Sequence, residues 1–166
     1  MLKLTGSIII ILTSYLTGNI FIHNNNQKLV KTKNMITFFK VLREQLYTGF
    51  YDISTSINYS CEKVEMIFKK EFLLFSDVIQ NSNVDSFKSA YDNSKEKYSL
   101  KATNTIRLFA DKLDENGLAS SHIACDDMVK HFSEIYEKEK IKVVTDNKLI
   151  RNFSICAGLI IVILLV

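Results

Sequence analysis

The sequence predicts an all-α protein: an antiparallel bundle of about five or six helices between an N-terminal and a C-terminal transmembrane helix. Three observations carry this. Proline and tryptophan are absent, and only two of the five glycines, Gly49 and Gly117, fall in the middle of the chain. Without the two strongest helix breakers, long helices are the natural result. Apolar residues in the middle recur at steps of three and four, the signature of amphipathic helices. Finally, both ends are apolar. Lys3 is the only charge in the first 27 residues and Arg151 the only one in the last 18.

The opening stretch Leu4–Ile22 is 19 residues long. As a helix it spans about 28 Å, against a hydrocarbon core of about 30 Å. No A-x-A site follows it, so a retained span is favoured over a cleaved signal peptide. Ser14 and Gly18 form a small-xxx-small pair, a pattern that lets helices approach closely in lipid. His23–Gln27 (HNNNQ) reads as a polar interfacial break or a solvated helical turn.

Basic residues gather just inside both apolar ends. Lys28, Lys31, Lys33 and Lys40 follow the first; Lys138, Lys140, Lys142, Lys148 and Arg151 precede the second. The positive-inside rule then sets the middle in the cytoplasm and both termini across the membrane. The expected boundaries are residues 1–23 for the first span, 24–148 for a cytoplasmic helical bundle and 149–166 for the second span.

Within the middle, Met35, Phe38, Phe39, Leu42, Leu46 and Phe50 line one face of a helix that Gly49 ends. Asp52–Ser60 (DISTSINYS) is rich in residues that favour turns and caps. A second helix is expected over about Cys61–Gln80, with Val64, Ile67, Phe68, Phe72, Phe75 and Ile79 inward. After a loop at Asn81–Asn83, Asn83 or Asp85 caps a short helix carrying Phe87, Ala90 and Tyr91. Ser99–Asn116 forms the next helix, with Ile106, Phe109, Ala110 and Leu113 inward, stopped at Asn116–Gly117. Ser120 or Ser121 starts the last, which carries Cys125, Met128, Val129, Phe132, Ile135, Tyr136, Val143 and Ile150. No breaker occurs from Ser121 to Gly158, so this helix is expected to continue toward the second span. That span, Phe153–Val166, is short at 14 residues. Starting at Leu149 lengthens it, provided Arg151 snorkels to the interface.

Little points to catalysis. No phosphate loop, nucleophile elbow or paired carboxylates stand out. His122 and Asp126 share a helix face as two metal ligands would, but His131 lies about 180° around from His122. The pair reads better as a solvated or locally bonded one, and no cofactor or metal is expected. A net charge of +3, with acids interleaved among the bases, does not suit a nucleic-acid groove. Cys61, Cys125 and Cys156 lack motif spacing and fit reduced thiols. The candidate surfaces are therefore docking or lipid-facing ones: Lys28, Lys31 and Lys33 on one flank, and Glu137, Lys138, Glu139, Lys140 and Lys142 on the other. The plain alternative for the second group is a solvated face with neighbouring ion pairs.

The segments MLKLTGSIIII, FFKVLREQLYTGF, SLKATNTIRLFADKLDENG and NKLIRNFSICAGLIIVILLV, in this order, resemble the stage III sporulation protein AB family of endospore-forming bacteria. The likeness covers nearly the whole chain and rests on hydrophobic pattern and length. Two departures stand out: Leu113–Asp114 where the family often has Leu-Gly, and no proline after Gly49. The resemblance implies a non-enzymatic component of the mother-cell membrane, part of a channel complex that connects to the forespore. It implies a soluble part similar to the helical domains of type II secretion and type IV pilus platform proteins. It implies a cytoplasmic secretion-type ATPase, other membrane proteins of the same sporulation complex and membrane lipid as partners, and it permits a homo-oligomer. From the residues alone, a tail-anchored helical sensor or partner-pairing membrane protein is the competing reading.

Overall fold

The computed structural model describes residues 2–49, 52–81, 86–94, 98–117 and 120–165, with backbone only at 2–4, 100 and 165. It is all-α. Six helices are described: α1 (Leu2–Thr48), α2 (Ile53–Lys63), α3 (Lys69–Asn81), α4 (Phe87–Ser94), α5 (Leu100–Asn116) and α6 (Ser121–Leu165). The apolar ends are not separate helices but the outer parts of α1 and α6. His23–Gln27 is therefore a helical turn, closed locally by the Gln27 Nε2–His23 Nε2 contact at 3.2 Å.

The chain divides into two compact units, Met1–Val30 with Ile135–Val166, and Lys31–Glu134. The second unit holds the aromatic core. Phe38 and Phe39 of α1, Phe72 and Phe75 of α3 and Phe109 of α5 have no exposed surface. Phe39 is at the centre: its ring lies 5.1 Å from Phe38, 6.0 Å from Phe72, 5.2 Å from Phe109 and 5.8 Å from Phe132. Met35, Leu42, Ile106, Ala110, Leu113, Cys125 and Met128 close around it. Leu46, Phe68, Ile79, Phe87, Val129 and Phe132 pack on the core half-buried, while Phe50 lies outside the described residues.

The largest departure from the sequence reading is at residues 52–68. Asp52–Ser60 is not a turn region but most of α2. Asp52 is its N-cap, accepting a hydrogen bond from the Thr55 backbone N–H at 3.1 Å. Ile53, Ile57 and Cys61, four apart, turn inward. One of the serines that argued against a helix helps it pack: Ser54 Oγ lies 2.7 Å from Ser76 Oγ of α3, with each hydroxyl also within hydrogen-bond reach of the other's carbonyl. Small hydroxyl side chains that bond helix carbonyls satisfy themselves where two backbones come close.

The helix expected over Cys61–Gln80 is consequently split. Val64 turns extended, and the freed Glu65 carbonyl accepts from Asn34 Nδ2 of α1 at 2.6 Å. The break points Val64 and Met66 inward and leaves Ile67 half exposed at 50%, against the reading of Ile67 as core.

The cap expected from Asn83 or Asp85 lies outside the described residues. The described cap comes from elsewhere in the chain. Asp114 of α5 accepts from the Phe87 and Lys88 backbone N–H groups at 2.7 and 3.0 Å and from Ser86 Oγ at 2.8 Å. A carboxylate at a helix N-terminus satisfies unpaired donors and the helix dipole together. A glycine at this position could not make these bonds. Asp114→Ala is therefore expected to destabilise the bundle by about 1–2 kcal/mol, read as a lower urea midpoint. An unchanged midpoint would remove the cap assignment.

The other boundaries follow the sequence. Ser99 caps α5, and Gly117 ends it at φ +73, which a side chain would disfavour. Gly49, at φ +67, does the same for α1.

Candidate functional site

The first unit carries the feature of functional interest. α1 and α6 pack antiparallel along their apolar parts, in a register fixed by small residues. A Cβ placed on Gly18 would lie 2.9 Å from Ser154 Cβ. One placed on Gly158 would lie 3.3 Å from Ser14 Cβ and 3.4 Å from Ile11 Cα. Ser14 Oγ donates to the Ser154 carbonyl, and Ser154 Oγ to that of Ile150 at 2.8 Å. Two small-xxx-small pairs thus face each other, Ser14-x-x-x-Gly18 against Ser154-x-x-x-Gly158. The sequence reading found the first. The second has the same spacing in FSICAG and was legible by the same rule.

Two turns along, the contact becomes polar. Asn25 Nδ2 donates to Asn147 Oδ1 at 3.3 Å, and Asn147 Nδ2 to Asn26 Oδ1 at 3.0 Å. No motif announced this clamp; it follows only once the register is known. That register sets the charge-free part of α6 beside Leu4–Ile22. The two apolar stretches, separated by well over a hundred residues, therefore end at the same level. Around the small-residue seam, Ile8, Ile9, Leu12, Leu16, Ile20 and Phe21 of α1, and Phe153, Leu159, Ile160 and Ile163 of α6, are exposed. Both helices are long and apolar enough, by length and composition, to cross a membrane. Exposed apolar surface on this scale is covered by lipid or by a partner in any stable state.

Of the residues singled out from sequence, Lys28, Lys31, Lys33, Glu137, Lys138, Lys140 and Lys142 are exposed and Glu139 is half-buried. Lys31 and Lys33 belong to the second unit; Lys28 and the run from Glu137 to Lys142 belong to the first. Within the run Lys140 and Glu137 form a loose ion pair at 3.8 Å, with Lys140 Nζ also 6.0 Å above the Tyr136 ring.

In the second unit a groove of about 440 Å³ is lined by Arg43, Glu44, Tyr47, Thr48, His122 and Asp126. Asp126 is taken by Arg43 Nη1 at 2.8 Å, and His122 meets the Tyr47 ring edge-on at 5.7 Å. Burial, with the Asp126 charge beside it, pushes the Cys125 thiol up to about 12, so the free thiol is protonated at neutral pH. His131 lies elsewhere, edge-on to Phe132 at 5.4 Å. Among the described residues no three His, Cys, Asp or Glu side chains gather as a metal site.

Neither curated proteins nor solved structures give a match to this chain. A family model described as stage III sporulation protein AB does, over residues 3–166. The match takes in both apolar helices and everything between them. The chain belongs to the stage III sporulation protein AB family.

Proposed function

We propose that this protein is a non-enzymatic membrane platform in a secretion-like channel between mother cell and forespore. It holds a helical bundle on the cytoplasmic face of the mother-cell membrane and couples a cytoplasmic secretion-type ATPase to the membrane assembly. The observation that carries the reading is the matched hairpin: two apolar helices paired through Ser14, Gly18, Ser154 and Gly158, with lysines gathered at one end. The chain enters and leaves the bundle through these helices, so the bundle is tethered twice. Family membership supports the sporulation role. A platform of this kind needs docking faces and no reacting group. The exposed Lys28, Lys31 and Lys33 flank and the Glu137–Lys142 run offer such faces.

The test is a pull-down. The fragment of residues 24–148, checked for helicity, is mixed with the secretion-type ATPase from the same cells, with and without nucleotide. Saturable binding at micromolar strength or tighter is expected, weakened when Lys138, Lys140 and Lys142 are replaced by glutamine. No binding by a folded fragment would contradict the ATPase-coupling mechanism.

A further inference from the structure

At the basic end of the hairpin lies a second groove, about 350 Å³, lined by Asn19, Ile22, Val144, Asn147, Lys148 and Arg151. We propose that this groove binds the phosphate headgroup of an anionic phospholipid, with Lys148 and Arg151 as its cations and Asn19 as a neutral donor.

Lys148 and Arg151 are three apart on α6 and so share a face. Neither has an ion pair or hydrogen bond to any described residue, although Asp146 is close in sequence. Asn19 is exposed and brings an amide from α1. Asn147 is committed to Asn25 and Asn26, which fixes the α1–α6 spacing at the groove. The remaining walls, Ile22 and the half-exposed Val144, are apolar. This is an open cationic groove with a greasy wall, roomy enough for a phosphate headgroup and the start of its acyl chains.

Its place in the chain favours a lipid over an acidic peptide. Arg151 is the last charge on α6, and one turn further into the apolar part, on the faces of Asn19 and Arg151, Tyr15 and Ile155 are 43% and 41% exposed. Cations stand on one side of the groove and surface suited to acyl chains on the other. Basic pockets between spanning helices at this depth recognise anionic headgroups. An arginine at the end of a span holds its guanidinium at the headgroup level. The inference rests on the proposal that both apolar helices lie in a bilayer.

The test uses the full-length protein, extracted from membranes in a mild detergent, with phosphatidylglycerol or phosphatidylcholine of matched acyl chains added. Retained lipid is counted by native mass spectrometry, and the mass of each adduct identifies it as lipid or as inorganic phosphate. The parent protein is expected to retain phosphatidylglycerol in preference to phosphatidylcholine. Each cation removed should weaken retention about fivefold, so Lys148→Gln with Arg151→Gln loses the preference. The exchange Lys148→Arg with Arg151→Lys should keep most of it, as should Lys138→Gln with Lys140→Gln. Equal loss in the two glutamine doubles would overturn the site in favour of diffuse attraction. An adduct of inorganic phosphate alone would overturn the lipid assignment. Alkaline carbonate extraction of the starting membranes separates this from the underlying reading. Protein that stays with the membrane but shows no lipid preference refutes only the site. Protein released by carbonate refutes both.

Discussion

Phe39→Ala is expected to destabilise the bundle by about 3–5 kcal/mol, the range for emptying a buried aromatic position. Phe39 has no exposed surface, and its ring contacts join α1, α3, α5 and α6 within the second unit. Truncation leaves a cavity walled by four other phenylalanines whose backbones are held by different helices, so the walls cannot collapse together. Against a total stability of about 5–15 kcal/mol for a domain, that is a large fraction. Phe132→Ala, at a half-buried position on the rim, should cost clearly less. Urea unfolding of residues 24–148, followed by circular dichroism, reads the difference. A loss below about 1 kcal/mol for Phe39→Ala would mean the aromatic cluster is not the core.

Gly18→Leu is expected to pull the hairpin apart. Gly18 has ordinary helical backbone, so it is not needed for its conformational freedom. It is needed because α6 lies directly over it, with Ser154 Cβ 2.9 Å from where a side chain would begin. In lipid there is little hydrophobic gain from pairing two apolar helices, and close packing takes its place. A leucine would push the seam open, break the bond from Ser14 to the Ser154 carbonyl, and cost about 1–3 kcal/mol or more by overpacking. Gly6 is the control, with nothing within 4 Å of an added Cβ. Gly6→Leu should leave the amount of protein in the membrane unchanged, while Gly18→Leu should lower it several-fold. Equal levels would contradict the seam.

The sequence and the structure agree where local pattern and burial act together. Phe38, Phe39, Phe72 and Phe109 could be placed in the core because a helical period alone brings them to one face. Gly49, Ser99 and Gly117 could be placed at helix ends because each supplies a conformation or bond that the terminus needs. At Asp52–Ser60 composition argues for turns and spacing for a helix, and spacing prevails. Serines lower helix propensity in isolation, yet tertiary contact with Ser76 gives Ser54 a partner, and Ile53, Ile57 and Cys61 already held the helical step. Asp114 as a cap for α4, and Asn147 as a clamp on Asn25 and Asn26, join residues far apart in sequence and follow only from the packing. The hairpin stood between these cases. Ser14-x-x-x-Gly18 was visible, but its meaning needed the matching pair at Ser154 and Gly158.

The pairing of the two ends is the claim on which the rest depends, and disulfide trapping in native membranes tests it most directly. Ser14→Cys and Gly158→Cys are combined with Cys156→Ser, which removes the exposed native thiol. The Cβ atoms at 14 and 158 are about 3.3 Å apart, slightly inside the usual 3.5–4.5 Å for a disulfide and within reach of a small helix shift. Mild oxidation should give an intramolecular cross-link and a faster-migrating monomer, whereas Ile9→Cys with Gly158→Cys should not. Failure of the 14–158 pair to close, or its closing only between two copies of the chain, would contradict the hairpin.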